Sequence, residues 1–226
     1  MAIGPYIGLA LAWAVFFAAH SLLASRRAKA AVSRRWPHRA GAYRLAYNLL
    51  ALALLVPVLV LSLAADGPML VTWTGPAWWL AQAAALAAVT GFAVSLHAYD
   101  MDHFLGLRQL RGPAVTDGGE EPWEPLRISG FHRFVRHPWY FFGLVILWTR
   151  DLNAAGLVSA AAVTAYLVVG SRLEERKLID TYGAAYAAYR GRVPGLLPLP
   201  GRHLSPAEAA ELARRANQGA HEGEPT

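Results

Sequence analysis

The chain has 226 residues, 55% of them hydrophobic and only 16% charged, with a net charge of +6 and no cysteine. That composition is richer in apolar residues and poorer in charge than a soluble domain, so it points to a membrane protein with no room for a separate soluble catalytic domain. It excludes disulfides, thiolate metal sites and a cysteine nucleophile. No nucleic-acid-binding motif accompanies the basic charge, which in a membrane protein belongs to cytoplasmic loops facing anionic lipid.

Several apolar runs approach the roughly 20 residues of helix needed to cross a bilayer core. Residues 3–24 form the first, broken only by His20 and Ser21, and it reads as a retained span rather than a cleaved signal. His20 reads as a helix-packing hydrogen-bonder, although a polar group inside a span raises the expectation of a functional role. The stretch 25–44 follows with seven Lys or Arg and no acid. Residues 45–65 form a second span, interrupted by Pro57, and 77–98 a third. Between them lies a Gly/Pro loop, with Trp73, Trp78 and Trp79 placed where an interfacial aromatic belt would sit.

A polar region then runs to the fourth apolar stretch, 134–149, which is short for a crossing. The turn Arg150–Asn153 leads to a fifth span, 153–170, with Asn153 as its N-cap. No helix breaker occurs before Gly183, so this helix should project beyond the hydrocarbon: 30 residues from Asn153 to Tyr182 would span about 45 Å against a core of about 30 Å. Tyr182, Tyr186 and Tyr189 follow at i, i+4 and i+7 and would share a face if the helix resumed. Ser205-Pro206-Ala207-Glu208 has capping-box spacing and predicts a short helix to about Arg215, with a disordered end from Gln218. The expected organisation is one membrane domain over 1–200 and a tail over 201–226.

Counted loop by loop, with Arg136 assigned to the loop before the fourth stretch, the Lys and Arg residues number seven, none, five, one and eight. The positive-inside rule then places the N-terminus outside and the C-terminus in the cytoplasm. The fold class read from these features is an all-α integral membrane protein of about five transmembrane helices, whose C-terminal helical hairpin forms a pocket at its cytoplasmic end.

The chemistry-bearing residues sit at both ends of that hairpin. In Arg136-His137-Pro138-Trp139-Tyr140, proline at the start of a helix leaves the first-turn N–H groups pointing outward as an anion site, with Arg136 and His137 beside it. The competing reading is that both side chains snorkel to headgroups. Glu174-Glu175 is the second cluster. Neighbouring residues point about 100° apart on a helix, so at most one enters a pocket deeply; the competing reading is a solvated charged turn. Antiparallel packing brings the two clusters together. A third polar group, His97, Tyr99, Asp100, Asp102 and His103, lies past the third span. It reads as a plain helix end, as a substrate-side base or selector, or, least favoured, as a metal site.

Arg-His-Pro-x-Tyr, an apolar run, Glu-Glu, Tyr-Gly-x-x-Tyr-x-x-Tyr and Val-Pro-x-Leu-x-Pro together resemble the C-terminal signature of the integral-membrane methyltransferases, typified by isoprenylcysteine carboxyl methyltransferase and, more distantly, the phospholipid N-methyltransferases. His-Ser-Leu-Leu-Ala at 20–24 and Phe-Leu-Gly-Leu-Arg-Gln-Leu at 104–110 are similar to segments of the bacterial methanethiol S-methyltransferase and NnrU-like branch. The resemblance covers most of 10–200, with 112–125 as a variable insertion. It implies S-adenosylmethionine as cofactor, no metal, and a bacterial inner-membrane location. It places Arg136, His137 and Pro138 by the methionine moiety and has Tyr140 and Leu144 flank the cofactor. Glu174 or Glu175 would hold ribose hydroxyls or the amino group, and Tyr186 with the apolar Val-Pro-Gly-Leu-Leu segment at 193–197 would help close over the adenine. Asp102, His103 and Arg108 are the candidate catalytic residues on the substrate side, with Gln109 beside them. The implied substrate is a small or lipophilic molecule within membrane lipids. A methanethiol-like thiol is favoured over a prenylated thiol, a phospholipid or a non-enzymatic accessory role. Nothing in the sequence specifies an oligomer.

Overall fold

The computed structural model describes residues 3–65, 67–97, 100–111 and 125–222. Tyr99 and the 112–124 part of the expected insertion lie outside the described residues. The described residues are mostly helical, and two compact units divide the chain: 1–72, 99–122 and 151–163 form one, and 73–98, 123–150 and 164–226 the other.

In the first unit, α1 (Gly4–Leu23) and α3 (Tyr43–Ala64) pack together. Their connector folds into α2 (Arg26–Arg35), capped by the Ser25 hydroxyl on Ala28 N–H at 3.2 Å, and a 3-10 turn, Pro37–Ala42. The core of this unit joins Leu9 and Trp13 of α1 to Val58, Ala65 and Ala155. Trp13 Nε1 donates to Ser159 Oγ at 3.0 Å, so the indole N–H is satisfied inside an apolar layer. A three-residue strand, β1 (Met69–Val71), and a two-residue strand, β2 (Leu152–Asn153), pair antiparallel, a feature too short to carry a periodic signal in the sequence. Past the third span, two single-turn helices follow, α5 (Met101–Leu105) and α6 (Leu107–Arg111).

In the second unit, α4 (Gly75–Leu96) packs on α7 (Pro138–Trp148). The contact is made by a stripe of small buried residues on α4: Ala81, Ala85, Ala88, Gly91 and Ser95. Gly91 is required there, since a Cβ would stand 2.6 Å from the Phe142 ring. Ser95 Oγ accepts from Trp139 Nε1 at 2.7 Å, which closes the far end of the same seam. The helix α8 (Ala154–Arg192) begins with Asn153 Oδ1 accepting from Gly156 N–H at 2.8 Å, as the cap residue predicts.

α8 is not one rod. Gly183 has φ 56° and ψ −136° and breaks it, a conformation open to glycine and costly for other residues. Arg190 Nε lies 3.5 Å from Glu175 Oε2, whereas 15 residues along a straight helix would separate them by about 22 Å. The chain therefore turns back at Gly183. α9 (Pro206–Glu222) packs against the returning segment: Tyr186, Tyr189, Val193, Leu204, Ala209 and Ile128 form one buried cluster. Both halves of the expected capping box are present, Glu208 N–H to Ser205 Oγ at 3.2 Å and Ser205 N–H to Glu208 Oε2 at 2.8 Å. The helix continues to Glu222 rather than stopping near Arg215, so Gln218 is helical and not disordered. The reason is tertiary: Asn217 clamps Leu126 by accepting its N–H at 2.7 Å and donating to its carbonyl at 3.3 Å.

Among the described residues, four helices are long and apolar enough to cross a membrane: α1, α3 with the turn before it, α4 and α8. Leu11, Val15, Leu52, Val56, Leu63, Leu80 and Leu86 are exposed on the first three, apolar surface that suits lipid rather than water. The protein is an all-α integral membrane protein apart from the short strand pair. The fourth expected span is different in kind. α7 has 11 residues, about 16 Å of helix, so it does not cross a core of about 30 Å by itself. Residues 134–137 do not extend it, because Pro138 begins the helix and the backbone ahead is a turn.

Candidate functional site

The polar residues at the ends of the expected hairpin meet within the second unit. Pro138 starts α7 and leaves His137 at the N-cap with φ −121° and ψ 72°. The two N–H groups ahead of the helix are taken by the returning chain: Arg136 N–H donates to the Pro194 carbonyl at 2.9 Å and His137 N–H to the Gly195 carbonyl at 3.0 Å. This loop holds the Arg136-His137 pair against the last turns of α8 before the Gly183 break.

Glu175 is the centre of the arrangement. Its Oε1 accepts from Arg136 Nε at 2.9 Å, from Arg136 Nη2 at 2.6 Å and from His137 Nε2 at 3.0 Å. Its Oε2 faces Arg190 Nε. The carboxylate side chain is 7% exposed and that of Arg136 is 9% exposed, so a charge that would be costly to bury alone is matched on both oxygens. Burial pushes the Glu175 carboxyl up, but hydrogen bonds from His137 and Arg136 outweigh it and hold the group below the usual glutamate range. Glu175 lies past Gly170, where the apolar run of α8 ends. The remaining Arg136 nitrogen donates to the carbonyls of Arg190, at 3.0 Å, and of Val193. All of the fork is thus used inside the protein, and neither the snorkelling nor the solvated-turn reading describes these residues.

Glu174 is placed differently. Its side chain is 49% exposed, its Oε2 is 3.5 Å from His137 Nδ1, and Tyr140 donates to it at 3.3 Å. The rings of His137 and Tyr140 stack with centroids 5.2 Å apart and planes 9° off parallel. The expected 100° between neighbouring helical residues is realised as one carboxylate turned inward and one turned out. Leu144 is buried on α7. Tyr186 is buried too, 2% exposed, edge-on to Tyr189 at 5.6 Å in the cluster under α9. Burial drives its phenol well above the usual tyrosine range.

Sequence reasoning missed Arg190 and the bond from the Tyr189 hydroxyl to the His132 carbonyl at 2.6 Å; it read the 193–197 segment as an apolar cover and not as the carbonyls that hold Arg136 and His137. Their involvement depends on the reversal at Gly183. A glycine inside an otherwise unbroken helical run was the available signal.

Asp102, His103 and Arg108 belong to the first unit. Arg108 Nη1 pairs with Asp100 Oδ2 at 2.7 Å, and Asp100 caps α5 through His103 N–H at 3.0 Å. These contacts pull the Asp100 carboxyl below its ordinary range, the His103 backbone bond most of all. Arg44 Nη1 contacts His103 Nδ1 at 3.2 Å and the His103 carbonyl at 2.8 Å. Arginine only donates, so Nδ1 is the accepting nitrogen in this contact. Service as a proton acceptor would require the Arg44 contact to open. Asp102 is exposed. Gln109 Nε2 donates to the His103 carbonyl at 3.1 Å, and its Oε1 is buried with no hydrogen-bond partner. No group of three or more His, Asp or Glu able to hold a metal occurs among the described residues.

Several curated proteins are similar to this chain. Methanethiol S-methyltransferase 1 of Bradyrhizobium diazoefficiens is 39% identical over 102 residues, covering 43% of this chain and 35% of the relative. Methanethiol S-methyltransferase of Crocosphaera subtropica is 33% identical over 122 residues, covering 52% and 46%. The protein of that name from Mycobacterium tuberculosis is 36% identical over 110 residues, covering 46% and 43%. Each similarity thus spans less than half of the relative's length. No family model matches the chain, and no solved structure matches it. The relatives bear out the resemblance to the methanethiol branch.

Proposed function

We propose that this chain is a membrane-embedded methyltransferase that moves a methyl group from S-adenosylmethionine to a small thiol of the methanethiol kind. The observation that carries the reading is the pair of consecutive carboxylates on α8 set against Arg136, His137 and Tyr140 at the start of α7. The names of the similar proteins support the acceptor class.

The donor set fits the cofactor. It offers an exposed carboxylate for hydroxyl or ammonium groups, a flat aromatic pair beside it, and the cationic edge of Arg190, whose side chain is 51% exposed. Glu174, Tyr140 and His137 would hold it directly. Glu175 and Arg136, turned inward, act as positioning residues that fix His137 and the Val193–Gly195 loop. Leu144 and Tyr186 contribute packing behind the site. When bound, S-adenosylmethionine supplies a methyl group activated by its sulfonium. The protein has only to align the acceptor, exclude water and give the thiol proton a path. Asp102, His103 and Arg108 remain the proposed substrate-side residues, Asp102 being the acid with the freer carboxylate. The proposed setting is the bacterial inner membrane, with the C-terminus cytoplasmic.

Calorimetry of the purified full chain with S-adenosylmethionine tests the reading, followed by headspace detection of dimethyl sulfide from methanethiol. Binding with dimethyl sulfide formation is the expected result. Binding with transfer only to a prenylcysteine analogue or a phospholipid would move the acceptor to those classes. Absence of binding, with Glu174→Ala indistinguishable from wild type, would leave the accessory role.

A further inference from the structure

Apart from the Arg44 contact with His103, the connector between α1 and α3 has no part in the chemistry above. From Ser25 to Arg44 it carries seven Lys or Arg and no Asp or Glu. Two contacts set its level. The Tyr43 hydroxyl donates to the Leu23 carbonyl at 2.6 Å, and the Tyr47 hydroxyl lies 2.6 Å from His20 Nε2. The last turn of α1 and the first of α3 therefore end at the same height, and α2 with the Pro37–Ala42 turn lies beyond the apolar stretch of both.

At that level the connector presents charge outward. Arg26, Arg27, Arg34 and Arg35 are exposed, whereas Ala28 and Val32 are half-buried. On a helix of about 3.6 residues per turn, Arg27, Arg34 and Arg35 fall within about 100° of one another. Trp36 ends the helix with 44% of its surface exposed, and the Arg35 guanidinium carbon is 5.4 Å from its ring centroid. An exposed indole beside arginines, at the end of two spans, is the pattern of a headgroup-level anchor.

We infer that the arginine face of α2, with Trp36, docks on the anionic headgroups of the surrounding membrane. The occupant is a phospholipid surface because the face has matched charge, sits at the span ends, and carries the amphipathic aromatic that such a boundary favours. The inference rests on the membrane reading and not on the proposed methyl transfer.

Native mass spectrometry of the full chain in neutral detergent, titrated with phosphatidylglycerol or phosphatidylcholine, tests it. Wild type should prefer phosphatidylglycerol. Each basic residue near an anionic surface contributes a factor of about five, so R27Q/R34Q/R35Q should weaken phosphatidylglycerol binding on the order of a hundredfold. R27K/R34K/R35K should keep it, because charge rather than packing is required. R214Q/R215Q, a control on α9, should also keep it, and glycerol 3-phosphate should not compete. A triple glutamine variant with wild-type preference, equal loss in the α9 control, or competition by glycerol 3-phosphate would overturn the inference. Should the triple variant not fold, Arg34→Gln alone decides, with about a fivefold loss expected and no loss counting against it.

Discussion

Glu174 and Glu175 are adjacent and chemically identical, yet the structure gives them opposite work, and substitutions should separate them. Glu175→Gln leaves Arg136, Arg190 and His137 around a neutral amide. Removing one partner of a buried ion pair costs about 3 kcal/mol or more, so a large fall in thermal midpoint is expected together with lost cofactor binding. Glu174→Gln should leave the stability within about 0.5 kcal/mol of wild type, as for an exposed site, and weaken binding alone. Circular dichroism melts and calorimetry on the two proteins check this, and equal stability loss in both would contradict the assignment. His132 offers a pH test at the same scale. Burial lowers its pKa, so on acidification the unfolded chain takes up a proton that the folded chain resists. Stability is then present above the unfolded value of about 6.5 and declines as pH falls below it. The thermal midpoint should drop between pH 7.5 and 5.5, and His132→Asn should flatten that slope. Residue types and antiparallel packing pointed to Arg136, His137 and the paired Glu meeting, while residue types alone left snorkelling and a solvated turn open. Which Glu faces inward was not legible, because it depends on where Arg190 returns.

The return is made by one element. In the sequence the run 153–182 reads as helix and Gly183 as its end, with the tyrosine spacing allowing the helix to resume; that the second segment folds back is encoded by no local pattern. Gly183→Ala places a Cβ at φ 56° and ψ −136°, a strained conformation costing about 1–3 kcal/mol. Nothing lies within 4 Å of the new atom, so the penalty is conformational and not steric. The expected outcome is a lower thermal midpoint and weakened cofactor binding through the loss of the Arg190 and Val193–Gly195 contacts. A variant with wild-type values in both would show that the turn is not what holds the site. The α9 element shows the converse case. Its start at Ser205-Pro206 was readable from capping chemistry, while its end was not, since Asn217 holds Leu126, 91 residues away. Likewise α7 reads as a short span by hydropathy, and its true extent is set by Pro138 and by the loop carbonyls that occupy the preceding N–H groups.

At the scale of the whole molecule, the alternation of basic and non-basic loops predicts two sides, and contacts within the first unit pair the loops in the same way. The basic connector and the region past the third span touch, through Arg44 with His103 and through Asn48 with the Phe104 and Leu105 carbonyls at 3.3 and 3.1 Å. The non-basic loop and the Arg150–Asn153 turn also meet, as β1 pairs with β2 and Ala154 N–H donates to the Pro68 carbonyl at 3.1 Å. Loops that hydrogen-bond to each other share a side of the bilayer, because no backbone pairing of this kind reaches through a core of about 30 Å. In the second unit, Arg133 and Leu204 exchange hydrogen bonds, which puts the tail on the side of the segment before α7. The chain has no cysteine, so single introduced cysteines report topology without background. In intact cells a membrane-impermeant maleimide should label Thr74→Cys and Asp151→Cys, and should reach Ser33→Cys and Ser205→Cys only after the cells are opened. Labelling of Ser33→Cys in intact cells would contradict the expected cytoplasmic side of the basic connector. Labelling of Thr74→Cys and Ser33→Cys under the same condition would break the two-sided arrangement itself.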